Sequence, residues 1–169
     1  NIFIVLLLLF WVRTQAQEDN SVFQFLKLPF SSHAAALGGE NISIIEDDLT
    51  MAVHNPALLS CVADKTLNLN YTLYIAGVNA ASAAFSRVLG DRSTWAVTAQ
   101  FVNYGTMKET TSENIITGTF SAKDMAFSGI YSYDLSDYWS GGVKANLIYS
   151  NYDKFSSFAC LLYTSPSPR

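Results

Sequence analysis

From Thr66 onward, apolar and polar residues alternate with a period of two, the spacing of a strand whose two faces meet different surroundings. Thr66 to Tyr74 places Leu67, Leu69, Tyr71 and Leu73 on one face and Asn68, Asn70 and Thr72 on the other. Thr94 to Tyr104 sets Trp95, Val97, Ala99 and Phe101 against Thr94, Thr98 and Gln100. Asp124 to Tyr133 sets Met125, Phe127, Tyr131 and Tyr133 against Ser128 and Ser132. Gly77 to Val88 also reads as a strand, but it is mostly Ala and Ser, and the pattern does not assign its faces. Alternation by itself is shared by sandwiches, soluble barrels and membrane barrels.

Trp139 to Tyr149 discriminates better. Trp139, Gly141, Val143, Ala145, Leu147 and Tyr149 share one face, and Ser140, Gly142, Lys144, Asn146, Ile148 and Ser150 share the other. The apolar face carries aromatics at both ends and small aliphatics between them. At about 3.3 Å per residue and a tilt of roughly 40°, this stretch rises about 25 Å, the height of the lipid-facing band of outer-membrane barrels. Lys144 and Asn146 would then face a polar lumen. The connections alternate as well. Gly90-Asp91-Arg92-Ser93 and Asp134-Leu135-Ser136-Asp137 read as tight periplasmic turns, whereas Gly105 to Phe120 is long and polar, as external loops are. The connection around Ala76-Gly77 is short for an external loop. A sheet in lipid must close, because an open edge leaves backbone groups unpaired. The expected fold is therefore all-β, an antiparallel transmembrane outer-membrane β-barrel of which residues 66–159 form the first strands. A secreted, soluble β-sandwich that binds glycans is the competing architecture.

The residues before the strands set an address and a stopper. Ile2 to Val12 is an unbroken apolar run. It is shorter than the roughly 20 residues a spanning helix needs, but it suits the core of a secretory signal. Thr14-Gln15-Ala16 puts small residues at −3 and −1 of a cleavage before Gln17. Residues 1–16 thus read as a signal peptide lacking its own N-terminus. Residues 17–65 read as an N-terminal segment that plugs the lumen. Within it, Gly38-Gly39 suits a sharp turn, Asp48 the cap of a short helix, and Asn55-Pro56 the end of that helix.

Composition excludes more than it identifies. The chain is 50% hydrophobic with a net charge of −4, so no basic patch for nucleic acid is expected. Cys61 and Cys160 are expected to be isolated thiols. His33 and His54 lack companions at metal-ligand spacing, and Glu46-Asp47-Asp48 lacks the alternating oxygens of a calcium loop. Ser31, Ser32 and Ser60 stand in no nucleophile-elbow context. No catalytic, cofactor or metal role is expected. A candidate docking surface is the polar connection from Gly105 to Gly118, where Met107, Lys108, Glu109, Glu113, Ile115 and Ile116 mix charge of both signs with apolar side chains.

Two short motifs carry a resemblance: Ala36-Leu37-Gly38-Gly39 and Asn55-Pro56-Ala57, ahead of the first strand. Together with the acidic patch between them they are similar to the N-terminal signature of outer-membrane barrels related to the long-chain fatty-acid transporter FadL. VFQFLKLPFSSHAAALGG (22–39), NPALLS (55–60), YGTMKETTSENIITGTFSAKD (104–124) and GGVKANLIYSNYDKFSS (141–157) resemble, more closely, the PorQ-like branch of that superfamily in Bacteroidetes. The resemblance implies a barrel of about fourteen strands when complete, within the range known for such walls. It also implies a non-enzymatic place in the type IX secretion system. The partners implied are outer-membrane lipid, the surface protein PorZ, and the sortase complex of PorU with PorV. A FadL-type transporter of hydrophobic small molecules is the alternative. About six strands are visible, so the chain reads as a truncated fragment. Its last residues, CLLYTSPSPR (160–169), depart from the family pattern and resemble a translated sequencing-adapter tail, so the final strand is expected to break at Cys160.

Overall fold

The computed structural model describes residues 23–39, 44–110, 116–152 and 155–168. The signal segment, residues 1–16, lies outside them. The strands form one antiparallel meander in sequence order: β1 (Leu67–Leu73), β2 (Asn79–Leu89), β3 (Ser93–Thr110), β4 (Ile116–Ser136), β5 (Trp139–Tyr152) and β6 (Phe155–Pro168). Ahead of them come a 3₁₀ turn (Gln24–Lys27), helix α1 (Ser32–Ala36), helix α2 (Leu49–Ala52) and a second 3₁₀ turn (Pro56–Cys61). Among the described residues β1 pairs only with β2 and β6 only with β5, so the sheet is open.

The apolar faces of the strands are exposed and the opposite faces are covered. On β1 the leucines and Tyr71 are 63–71% exposed, while Asn68, Asn70 and Thr72 on the opposite face are half-buried. On β4, Phe127, Tyr131 and Tyr133 are exposed while Ser128 and Ser132 are buried. On β5, Trp139, Val143, Leu147 and Tyr149 are exposed while Ser140, Asn146, Ile148 and Ser150 are buried. The faces expected from alternation are the faces observed. The faces of β2, which the pattern left open, resolve with Ala84 and Ser86 inward and Arg87 outward.

The N-terminal segment covers the polar face. Phe30, Leu49, Ala52, Val53, Leu59 and Val62 pack with Ala84, Ala96 and Ile130 of the sheet. A second cluster joins Phe25 to Val102, Ala126 and Ile148. Fully burying one such leucine contributes about 1.5–3 kcal/mol, so Leu49 and Leu59 alone give the segment a firm seat. The segment comes close to the sheet at Gly142, where an added Cβ would run into the backbone of Pro56 and Ala57. Glycine is needed there for room.

Three expectations about the strands are corrected. The connection from Gly105 to Phe120 is mostly not a loop, because the β3–β4 ladder continues from Thr106↔Ser121 through Glu109↔Gly118 to Thr110↔Ile116. A register shift between Asn103 and Thr106 lets it do so, with Gly105 at φ +76° and its Cα 's missing side chain leaving space for the Gly77 carbonyl. Second, Asp134 to Ser136 belong to β4, so the tight turn is Asp137-Tyr138 alone. Third, β6 does not break at Cys160: its ladder runs from Tyr152↔Phe155 to Trp139↔Pro168. Pro166 and Pro168 sit on an edge strand, where a residue without an N–H is tolerated.

The packing at Gly142 gives a test. Gly142→Ala should push the Pro56–Cys61 turn off the sheet and destabilise the protein by about 1–3 kcal/mol, the usual cost of overpacking. Gly141→Ala, whose added methyl would meet only the end of Leu135, should cost far less. Urea unfolding of both variants checks the difference, and equal costs would contradict the seating of the segment.

Candidate functional site

Two places gather the functional side chains: the interface between segment and sheet, and the far end of the β3–β4 hairpin. The interface is built from short helical pieces, whose ends leave carbonyls without intrahelical partners. Donors on the sheet reach carbonyls of the segment, two of which, those of Phe25 and Ala57, also accept from the Leu28 amide and from Ser60 Oγ. Ser132 Oγ and Ser140 Oγ donate to the Ala57 carbonyl at 3.3 and 3.1 Å. Lys144 Nζ donates to the Val53 carbonyl at 2.8 Å, and Ser82 Oγ to that of Phe30 at 2.6 Å. Gln100 Nε2 donates to the Phe25 carbonyl at 3.4 Å.

The two halves of the plug motif do different work. Ala36, Leu37 and Gly38 are exposed, and Gly38 and Gly39, both at φ +100°, turn the chain after α1. Asn55, Pro56 and Ala57 are buried against β4 and β5. Asn55 closes the α2 turn and caps the next one, its Oδ1 accepting from the Ala57 amide at 3.2 Å. Asp48 caps α2 as expected, accepting from the Thr50 amide at 2.8 Å.

Around that cap lies a network that motif reading missed. Ser31 caps α1 by accepting from the Ala34 amide, and its hydroxyl donates to Thr50, which in turn donates to Asp48. His33 Nδ1 lies 2.7 Å from the other Asp48 oxygen, with Glu46 3.7 Å from Nε2. Ser31 thus links α1 to the start of α2. The hydrogen bond to Asp48, reinforced by the charges of Asp48 and Glu46, raises the His33 imidazole above its ordinary 6.5. For Asp48, partial burial works upward, but the hydrogen bonds from His33 and Thr50 outweigh it and hold the carboxyl below its ordinary value.

Tyr104, Asp124 and Tyr152 form a second unforeseen group on the polar face, at the end of the sheet away from the tight turns. Both tyrosine hydroxyls donate to Asp124 Oδ2, at 2.8 and 2.9 Å, and Asp124 is 1% exposed. Their shared parity in β3, β4 and β5 was visible, but the cross-strand register that joins them was not. Among the described residues no three His, Cys, Asp or Glu side chains are arranged to hold a metal ion. Cys61 and Cys160 are unbonded thiols, the first partly buried and the second exposed.

The candidate docking residues lie on a two-stranded ribbon. β2 begins at Asn79, opposite Asn103, and β5 ends at Tyr152, opposite Ala122. Beyond those pairs, β3 and β4 pair only with each other among the described residues. Met107, Lys108 and Glu109 are exposed on this ribbon, and Ile116 opens β4. Glu113 and Ile115 lie outside the described residues. The fold and the site define an antiparallel all-β protein whose polar face is filled by its own N-terminal segment. No family model matches the chain, and a search of curated proteins finds no significant relative.

The His33–Asp48 pair carries a pH signature. A raised histidine contributes fully below pH 6.5 and loses its contribution as pH rises through its folded value. A lowered carboxyl contributes fully above its ordinary 3.8 and loses its contribution as pH falls through its folded value. The pair is therefore strongest between those limits. An NMR titration should find the His33 midpoint above 6.5, returning toward 6.5 in Asp48→Asn, which keeps a capping side chain. A midpoint at or below 6.5 in the parent would contradict the pairing.

Proposed function

We propose that the chain forms part of the wall of an outer-membrane β-barrel, with residues 23–65 as its lumen plug, and that it serves the type IX secretion system as a non-enzymatic anchor for a surface complex. One observation carries the barrel reading: the apolar faces of the strands are exposed, while the polar faces are buried under the chain's own segment. A soluble protein that exposes Leu67, Leu69, Tyr71, Phe127, Leu147 and Phe158 on one face offers a patch far larger than monomers tolerate. Lipid makes that face favourable. The aromatics Trp139 and Tyr149 sit at the two ends of the apolar face of β5, as interfacial girdles do. Closure of the wall follows from the need to pair every backbone group in lipid.

The anchoring role rests on the resemblance to PorQ-like barrels and on the ribbon. Thr106–Thr110 and Ile116–Ser121 project beyond the neighbouring strands, on the side opposite the tight turns that we assign to the periplasm. The ribbon therefore faces outward in this topology and offers exposed Lys108 and Glu109 beside Met107 to a surface protein such as PorZ, which the PorU–PorV sortase complex accompanies in that system. A transporter of hydrophobic molecules needs an apolar path through the lumen, and a polar wall hydrogen-bonded to a seated plug argues against one.

Two measurements test these readings separately. Val143→Arg, near mid-membrane on the apolar face, should destabilise the barrel by about 2–4 kcal/mol, while Tyr138→Arg in the adjoining turn should cost about 0–1 kcal/mol. Equal costs, or recovery of the protein in the soluble periplasmic fraction, would eliminate the membrane wall. Deletion of Glu109 to Ile116 should leave barrel assembly intact, yet release the surface partner and reduce cargo attachment. Normal assembly with cargo still retained on the cell would move the anchoring site elsewhere.

A further inference from the structure

Between Lys144 and the plug lies a small cavity of about 20 Å³, room for one water-sized particle. Its polar lining is Thr98, Gln100, Ser128, His54 and Lys144, and the rest is apolar surface of the plug. Among the described residues no carboxylate lines it. Thr98 and Ser128 are register partners on β3 and β4, both buried, so their hydroxyls stand side by side.

Lys144 poses the physical problem. Its ammonium is desolvated under the plug, and of its three N–H groups one is used, on the Val53 carbonyl. The ion pairs among the described residues are made by His33 and Lys65, and Lys144 takes part in none of them. A charge withdrawn from water is normally paired or fully hydrogen-bonded. Here the unused ammonium protons share a cavity with two hydroxyls, an amide and the His54 ring, groups that donate or accept hydrogen bonds but carry no negative charge. Water could fill the space but would leave the charge uncompensated.

We propose that this cavity binds a single monovalent anion of chloride size, held by the Lys144 ammonium and the hydroxyls of Thr98 and Ser128. The anion is the counter-charge that lets a lysine sit between plug and wall. The cavity is too small for a phosphate or a carboxylate ligand. Binding at this place ties the seating of the plug to the anion.

Crystals of the protein grown in bromide should show an anomalous peak beside Lys144 Nζ within the cavity. Water there, or an anomalous map empty at that point, overturns the proposal. In solution, the melting temperature should rise with chloride at an ionic strength held constant with gluconate, as for any ligand that binds only the folded state. The rise should vanish in Lys144→Met and shrink in Ser128→Ala, which keeps the ammonium. Should Lys144→Met fail to fold, Ser128→Ala decides alone: a chloride dependence equal to that of the parent overturns the site.

Discussion

Hydrogen bonds from the sheet to the carbonyls of the N-terminal segment are the constraint on which the rest depends. A chain of helical pieces only a few residues long satisfies few of its own carbonyls, and buried unpaired carbonyls cost about 1–3 kcal/mol each. Ser82 and Lys144 donate to the carbonyls of Phe30 and Val53, and Gln100, Ser132 and Ser140 add donors from the sheet to those of Phe25 and Ala57. These side chains are polar for that reason, and they make the covered face of the sheet the polar one. The apolar residues of the same strands, one position out of phase, are then left on the exposed face. Segment and strand pattern therefore specify each other.

This reciprocity explains why the segment is irregular yet well seated. Apolar anchors such as Phe25, Phe30, Leu49 and Leu59 supply most of the burial, and the donors fix the register. Gly142 brings the two backbones into contact at the Asn55-Pro56-Ala57 motif. Ser31, Thr50, Asp48 and His33 hold α1 to α2 on the segment's outer side. In the barrel reading the segment blocks the lumen by the same contacts that stabilise it, and a wall thus plugged is suited to holding a partner.

Much of this was legible in the sequence where a residue's character is strong. The faces of β5 followed from Trp139, Val143 and Leu147 against Ser140, Lys144 and Asn146, and the caps at Asp48 and Asn55 followed from residue type. The faces of β2 were not legible, because Ala and Ser differ too little in polarity to mark an inside. The ribbon was misread as a loop for a related reason. Thr106 to Thr110 pairs only with β4 among the described residues and lies beyond the end of β2, so no covered face imposes alternation on it, although its threonines favour extended chain. The Tyr104–Asp124–Tyr152 group and the Lys144 cavity needed cross-strand register and the path of the segment, which spacing along one strand does not contain. The continuation of β6 past Cys160 was hidden by its prolines, which an edge position accommodates.

The most direct test of the two-faced wall is the accessibility of single spin labels in the protein reconstituted into lipid. Labels at Leu69, Phe127 and Leu147 should be relaxed by oxygen, which partitions into lipid, and shielded from a water-soluble nickel chelate. Labels at Ser128 and Asn146 should be shielded from both, because the segment covers them. Relaxation of Leu69, Phe127 and Leu147 by the aqueous chelate, or of Ser128 and Asn146 by either agent, would contradict the arrangement of wall and plug.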